Sequence, residues 1–396
     1  MVSLVKPMVR AGFVALTDCA PLVVARELGF DERAGVQIEP VRLPSWSAMR
    51  DHIAFEKLEC AHMLGGLSLA MHLGLSGVKT EMVVPLLMGR GGNSITISKS
   101  VHEKALEAKG GSYIGNRANS ASLIAPIVEG RKEKGLPPLR FATVHAFSSH
   151  NYELRAWLAH GGIDPDKDVQ LTVVPPPAMV GAMMKGEIDG YCVGEPWSQL
   201  AVEAGIGCIV ATKADLFPQS PEKVLAFRRA WVSGHGDEAA AVVDAVAGAM
   251  TWASVPGNHE DLAYMLSRSE YLGVDQDVIL HGLMCMPRLT PGQDRMPIRH
   301  YMSFDGPGFA YPQQSSALWL LAQMRRWGQA PAGLEEYAGK LCDPSLIEKN
   351  VRYSVESKFR KDVGPGDNAF DGINFDGENI EDYWRSFPIG GALKAS

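Results

Sequence analysis

Short apolar segments alternate with amphipathic segments through the first half of the chain. This alternation predicts an α/β protein with mainly parallel sheets, because each strand is followed by a stretch suited to a helix. The predicted strands are 9–15, 36–43, 60–64, 81–88, 94–98, 112–115, 140–144, 169–174, 190–193 and 208–211.

Helix starts are indicated where a small polar residue precedes an apolar stripe. Thr17 or Asp18 is suited to cap a helix that has Pro21 in its first turn and ends at Gly29. The other residues suited to cap a helix are Ser45 or Ser47, and Ser148 or Ser149.

The pattern changes after about residue 235, where helices are predicted to follow one another at 238–252, 261–266 and 314–327. The last thirty or so residues are rich in Gly, Asp and Asn and predict an extended tail.

Composition narrows the class of protein. The 396 residues are 46% hydrophobic and 21% charged, which is enough to build two domains and too apolar for a disordered chain. A net charge of −7 argues against a protein that coats nucleic acid or anionic membrane. The first twenty residues lack the layout of a secretory signal, and the six cysteines are scattered without a CxxC pair. We therefore expect a cytoplasmic protein.

Several standard catalytic motifs are missing from the sequence, including GxxxxGK[ST], HExxH and GxSxG. A loose GxGxxA at 234–239 allows dinucleotide binding, although a plain loop and helix cap explain it as well. Residues 367–378 partly match a calcium loop, but Ala369 and Phe375 stand where oxygen ligands belong. The alternative is an acidic, solvated tail or a docking strip. No cofactor or metal is predicted.

Four residues fall where a predicted strand ends or a helix begins: Trp46, Asn93, His150 and Lys223. Open α/β sheets bind ligands at such positions. Two potential cations, an amide and a helix N-terminus together suit a small oxyanion. Taken singly, each residue has a plainer interpretation, since a lone Trp is usually core and a lone Lys is usually at the surface.

Three segments carry a resemblance to a known family: GGIDPDKDV at 161–169, VPPPAMV at 174–180 and IDGYCVGEPW at 188–197. They closely resemble the solute-binding proteins of nitrate and bicarbonate ABC importers. Further matches are GFVALTD at 12–18, SW at 45–46, AHML at 61–64, PEKVL at 221–225 and ALW at 317–319, so the resemblance covers about residues 8–330.

The resemblance implies a type II periplasmic-binding-protein fold, with two α/β lobes and a ligand cleft between them. The first lobe would comprise residues 8–95 and 216–340, and the second lobe residues 96–215. Residues 341–396 would form an acidic C-terminal extension. The crossing segments would lie near 94–98 and 213–224.

The resemblance also implies a ligand-binding set. Trp46 would wall the anion, Lys223 would neutralise it, His150 would line the pocket, and Gly194 would approach through its backbone. Asn93 stands where nitrate binders have Gln, which shortens the amide arm by one methylene group. Lys223 favours nitrate or nitrite, because bicarbonate-binding members carry an acidic residue there.

Without an evident export signal, the chain looks most similar to the cytoplasmic NasS-type nitrate/nitrite sensors. These would regulate a NasT-type, RNA-binding antiterminator partner through lobe closure, with no direct contact to nucleic acid or membrane. Two alternatives stay open: the solute-binding component of a nitrate or bicarbonate importer, and an enzyme such as a thiamin-precursor synthase.

Overall fold

The structure, a computed structural model, describes residues 6–109, 116–304, 310–350 and 369–391. Its strands form two sheets, one in each of two α/β lobes. In chain order the strands are β1 (Met8–Val14), β2 (Gln37–Leu43), β3 (Cys60–Leu64), β4 (Met82–Gly91), β5 (Asn93–Ser98), β6 (Leu139–Thr143), β7 (Val169–Val173), β8 (Gly190–Gly194), β9 (Gly207–Thr212), β10 (Lys223–Arg228) and β11 (Met302–Ser303).

Both sheets are mixed, which corrects the prediction of mainly parallel sheets. The first has the order β11–β4–β10–β3–β1–β2, and the second has the order β7–β6–β8–β5–β9. Strand β1 is parallel to β2 and β3, and β6 is parallel to β7 and β8. The strands next to the lobe crossings, β10 and β5, are antiparallel to both of their neighbours. An apolar run predicts a strand but does not indicate whether that strand is parallel or antiparallel to its neighbours.

The predicted strands lie close to the observed ones, except that β10 and β11 were not predicted as strands and that 112–115 lies outside the described residues. The helices are α1 (Ala20–Glu27), α2 (Phe30–Ala34), α3 (Trp46–Ala54), α4 (Gly65–Leu73), α5 (Lys99–Ala108), α6 (Ala121–Glu133), α7 (Ser149–His160), α8 (Met179–Met184), α9 (Trp197–Glu203), α10 (Lys213–Leu216), α11 (Arg229–Gly234), α12 (Gly236–Ala253), α13 (His259–Ser267), α14 (Gln276–Leu283), α15 (Gln314–Arg326), α16 (Glu335–Gly339), α17 (Ser345–Asn350) and α18 (Ile380–Arg385).

Serine side chains cap two of the predicted helices. Ser45 Oγ accepts from the backbone N–H of Ala48 at 3.2 Å, and Ser148 Oγ accepts from that of Asn151 at 3.1 Å. Thr17 and Asp18 do not cap, contrary to prediction: they lie in a short 3₁₀ turn without a side-chain cap. The carboxylate of Asp18 faces the lobe junction instead.

The chain passes from the first lobe to the second at Gly91 and Gly92, between β4 and β5. Residues 94–98, predicted as the crossing, lie inside the second sheet. The backbone at Gly91 and Gly92 has φ of +74° and +80°, which favours glycine. The chain returns through α10 and the loop that leads into β10.

The described part of the C-terminal segment, residues 369–391, is packed against the protein, which corrects the prediction of an extended, solvated tail. Its helix α18 lies on α15, and Tyr383 and Trp384 are buried. The ring of Phe370 contacts Phe217 and His160, with ring centroids 5.5 and 4.8 Å apart. This segment therefore touches helices of both lobes.

The structure does not support the dinucleotide-binding motif or the calcium loop. The 234–239 motif joins α11 to α12, so it lacks the strand that a dinucleotide-binding turn needs. Of the calcium-loop segment, residues 367 and 368 lie outside the described residues, and Phe375 is buried. No cluster of metal-ligating side chains occurs among the described residues.

Within the described ranges, no single helix is long and apolar enough to cross a membrane. Helix α12 and residues 256–267 are together long and apolar enough for a membrane span, but the two segments are bent by 93° relative to each other.

Gly91 is a point where a side chain should be costly. A Cβ there would lie 2.2 Å from the carbonyl oxygen of Tyr301, at a φ that disfavours side chains. We expect Gly91→Ala to lower the free energy of unfolding by about 3 kcal/mol, measured by urea denaturation. Gly77 is the control, because it has φ of +86° and no atom within 4 Å of a Cβ. Gly77→Ala should cost only about 1 kcal/mol, and equal effects would contradict the close approach at Gly91.

Candidate functional site

The five predicted site residues come from five elements and meet where the lobes join. Trp46 begins α3, Asn93 begins β5, His150 lies in the first turn of α7, Gly194 ends β8 and Lys223 begins β10. All five are buried. Asn93 and Gly194 are direct neighbours across two antiparallel strands. The site therefore draws on both sheets.

The lobes touch each other around this site. The backbone N–H of Thr17 donates to the carbonyl oxygen of Glu195 at 2.8 Å. Trp197 Nε1 donates to the carbonyl oxygen of Ala15, also at 2.8 Å. A third contact joins Gln329 Nε2, which donates to the carbonyl oxygen of Ala146 at 3.0 Å. These contacts describe a closed arrangement of the two lobes.

Lys223 is the cation at the centre of the site, and carboxylates already surround it. Its Nζ lies 2.8 Å from Asp18 Oδ2 and 2.7 Å from Glu222 Oε1. The same ammonium lies 5.6 Å from the ring centroid of Trp46, within the range of a cation–π contact. Lys223 thus stands beside the tryptophan, but its charge is shared by two acids.

Glu222 connects more groups than any of the predicted residues does. Its Oε2 accepts from Lys213 Nζ at 2.8 Å, from Asn93 Nδ2 at 2.6 Å and from Ser149 Oγ at 2.5 Å. Its Oε1 accepts from Lys223. A buried carboxylate is stable only when its oxygens are satisfied in this way.

Asn93 is oriented by two carboxylates. Its amide nitrogen also donates to Glu153 Oε2 at 3.0 Å. An ionised carboxylate such as Glu222 can only accept, so its contact fixes which end of the amide is nitrogen. The donor that the sequence assigned to a ligand is therefore occupied. Only Oδ1, which is an acceptor, has no partner among the described residues.

We call Asp18, Glu153, Lys213, Glu222 and Lys223 the buried charge cluster. Lys213 Nζ lies 2.7 Å from Glu153 Oε1 and 2.8 Å from Glu222 Oε2, so it links the two glutamates. The five groups therefore form one chain of ion pairs. All five residues are buried. Within the described residues this cluster places three acids against two ammonium groups.

The environment separates the protonation of the three acids. Burial acts to raise the pKa of Asp18 and of Glu222, but nearby lysines outweigh it and hold both pKa values below the ordinary range. Burial also raises the pKa of Glu153, where Lys213 does not offset it and the charge of Glu222 adds to it. Glu153 is thus the acid that most readily holds a proton.

Both histidines of the site are held neutral. Burial lowers the pKa of His150 to about 3, although Glu222 Oε1 lies 3.8 Å from its Nδ1. Burial also lowers the pKa of His62, whose Nε2 lies 2.9 Å from Asp18 Oδ1 without hydrogen-bond alignment. Neither imidazole supplies a positive charge in this arrangement.

Several buried polar atoms at the site lack a hydrogen-bond partner in the described chain. They include Trp46 Nε1, both ring nitrogens of His150 and Thr17 Oγ1. Buried polar atoms are normally paired, so unpaired polar atoms that gather at a lobe junction indicate a ligand position.

Sequence reasoning missed Asp18, His62, Glu153, Lys213 and Glu222. Three of them lie in motifs that carry the resemblance, namely Asp18 in GFVALTD, His62 in AHML and Glu222 next to Lys223. Glu153 carried no such signal, because it follows a polar run that predicts only a helix start. The structure buries that entire run in the first turns of α7.

Comparison with known proteins agrees with this architecture. A model described as the NMT1-like family matches residues 4–267. The chain belongs to the NMT1-like family. Among curated relatives, this NMT1-like chain is 34% identical over 349 residues to the nitrate import ATP-binding protein NrtC of Synechocystis, covering 86% of the chain and 49% of NrtC. It is 28% identical over 397 residues to the nitrate/nitrite binding protein NrtA of Nostoc, covering 96% and 85%.

Solved structures show the same fold. The periplasmic nitrate-binding protein NrtA from Synechocystis superposes with a TM-score of 0.86 at 26% identity, covering 97% of this NMT1-like chain and 99% of NrtA. The alkanesulfonate-binding protein SsuA from Xanthomonas axonopodis shares the fold at 15% identity, with a TM-score of 0.53 and coverage of 81% and 94%. The fold is that of two-lobe periplasmic binding proteins. The chain spans about half the length of the first curated relatives it matches.

The two glutamates of the cluster offer a matched test of its electrostatics. We expect Glu222→Gln to lower the free energy of unfolding by about 3–5 kcal/mol, because two buried ammonium groups lose their shared partner. Glu153→Gln should cost about 1 kcal/mol, since that acid is the one disposed to be neutral. Urea denaturation at pH 7 measures both. Similar losses would contradict the different roles assigned to the two acids.

Proposed function

We propose that this NMT1-like protein binds a small monovalent oxyanion, nitrate or nitrite, between its lobes, as the solute-binding component of an anion importer. The observation that carries the proposal is the set of unpaired buried polar atoms, Trp46 Nε1 and the ring nitrogens of His150, beside Lys223 at the lobe junction. No catalytic step is proposed for these residues.

The geometry suits a small planar anion. A Cβ at Gly194 would lie 3.2 Å from Leu16 Cδ2, 3.4 Å from Asn93 Oδ1 and 3.7 Å from Asp18 Oδ2. The glycine thus lets the backbone of β8 lie close to these side chains, while Trp46 offers an aromatic face and an N–H donor. Relatives named for nitrate binding support the same ligand class.

Bicarbonate is the competing ligand. A bicarbonate transport ATP-binding protein of Synechococcus elongatus is 30% identical over 396 residues. Lys223 favours nitrate in the family comparison made from the sequence, but the lysine is shared with Asp18 and Glu222 in the structure. Binding measurements therefore have to decide between the two anions.

A second candidate role for the same site is that of a cytoplasmic nitrate/nitrite sensor that regulates an RNA-binding antiterminator. The relatives matched at 34% and 30% identity are named ATP-binding proteins of nitrate and bicarbonate transport, so the matched region also occurs as part of longer proteins. The net charge of −7 would leave RNA contact to the partner.

Isothermal titration tests the ligand. We expect a clear binding heat with nitrate or nitrite and none with sulfate, which carries a second charge that the site cannot balance. Heat from bicarbonate alone would replace the ligand in the proposal, and no heat from any of these anions would end it.

Trp46→Phe tests the donor role of the indole. The ring is retained and the N–H is removed, so we expect nitrate affinity to fall about tenfold, the factor that corresponds to about 1.4 kcal/mol. Trp384→Phe is the control, because Trp384 is another buried tryptophan with an unpaired Nε1 and lies in the C-terminal segment, away from the site. Equal affinities for wild type and Trp46→Phe would remove Trp46 Nε1 from the ligand.

A pull-down from the native cell extract, with and without added nitrate, separates the two roles. For the sensor, an RNA-binding protein should be captured without nitrate and released by it. For the importer component, capture of membrane transporter subunits, with no nitrate-dependent RNA-binding protein, is the expected result.

A further inference from the structure

The buried charge cluster leaves no spare positive charge for an anion. Asp18, Glu153 and Glu222 face Lys213 and Lys223 within hydrogen-bonding or ion-pair distance. With Glu153 protonated the cluster is neutral, and with Glu153 ionised it is negative by one charge. In either state, an anion that enters this site adds a buried negative charge with no unpaired cation to meet it, which is strongly unfavourable.

His150 is the group placed to restore the balance. Both of its ring nitrogens are buried and have no hydrogen-bond partner in the described chain, so the ring can take up a proton and donate to a ligand without breaking a contact. The ring nitrogens of His62, the other histidine of the site, also lack a hydrogen-bond partner in the described chain, but its Nε2 lies 2.9 Å from Asp18 Oδ1. A proton taken up by His62 would therefore face Asp18 and not the ligand.

The charged groups that face His150 come from several elements. Glu222 precedes β10 and Lys223 begins it, Asp18 lies in the turn before α1, and Lys213 begins α10. Glu153 lies one turn further along the same helix as His150. The attraction to the acids and the repulsion by the lysines largely oppose each other, so the charge of the ligand decides the balance.

We propose that the site binds its anion together with one proton, taken from solvent by His150, so that a neutral pair and not a lone charge is buried. This inference rests on the proposed anion-binding function. It confines the ligand to singly charged anions, because one imidazole supplies one charge. It also gives the pH dependence a sign.

The sign follows from linkage. In the free protein the pKa of His150 is lowered to about 3, so the ring is neutral near pH 7, and a bound anion raises that pKa. Affinity is therefore greatest in acid and falls as the pH rises, by up to tenfold per pH unit for one proton taken up.

The test is isothermal titration of nitrate into the full chain at pH 7, in buffers of different ionisation enthalpy. The slope of observed heat against buffer enthalpy gives the number of protons taken up. A value approaching one, with the dissociation constant rising between pH 6 and pH 8, supports the proposal. Binding heat that is independent of the buffer overturns it while leaving anion binding intact, whereas absence of heat in every buffer rejects the proposed function itself.

Two matched variants locate the proton. His150→Gln keeps a polar side chain that cannot be protonated, so it should bind more weakly, without proton uptake and without pH dependence. Glu153→Gln should retain proton uptake, and its loss in that variant would assign the proton to Glu153 and overturn the role of His150.

A direct spectroscopic readout stays informative if His150→Gln binds too weakly to titrate. In wild-type protein labelled with ¹⁵N-histidine, nitrate should convert one neutral imidazole to the imidazolium pattern at pH 7. Saturation with nitrate and no such change would overturn the proposal.

Discussion

The carboxylate of Glu222 is the interaction on which the site depends. It lies between two buried ammonium groups, one at the start of α10 after the second sheet and the other at the start of β10 in the first sheet. Water is excluded from all three, so each charge is stable only through the others. The same carboxylate orients Asn93 and Ser149. One side chain thus fixes the returning segment, the amide and the central cation together.

This arrangement changes the meaning of Lys223. In the sequence it stands out as the one cation suited to neutralise an anion. In the structure it belongs to a nearly neutral network, and its charge is already neutralised by ion pairs with Asp18 and Glu222. The selectivity of the site then depends on the balance of the whole cluster and on donors such as Trp46 Nε1, rather than on a single lysine.

Much of the fold could be predicted because strands and helices follow local patterns. Apolar runs located most strands of both sheets, and Ser45 and Ser148 marked two helix starts. Strand β10 was missed because it begins at a charged residue, Lys223, whose burial depends in part on Asp18, far away in the sequence. The five chosen site residues are indeed buried together. The acids that complete the site, such as Glu153, could not be told from surface acids, because their burial also depends on distant partners.

The packing of the C-terminal segment bears on how this chain can be divided. The hydroxyl of Tyr383 accepts from Trp319 Nε1 and from Gln323 Nε2, each at 3.2 Å, so an aromatic face of α15 is covered by residues far along the chain. The change in composition near residue 341 suggests a domain boundary at that position. A fragment cut at that boundary would expose indole and aliphatic surface to water and lose part of its hydrophobic core, so composition and domain structure disagree at this end of the molecule.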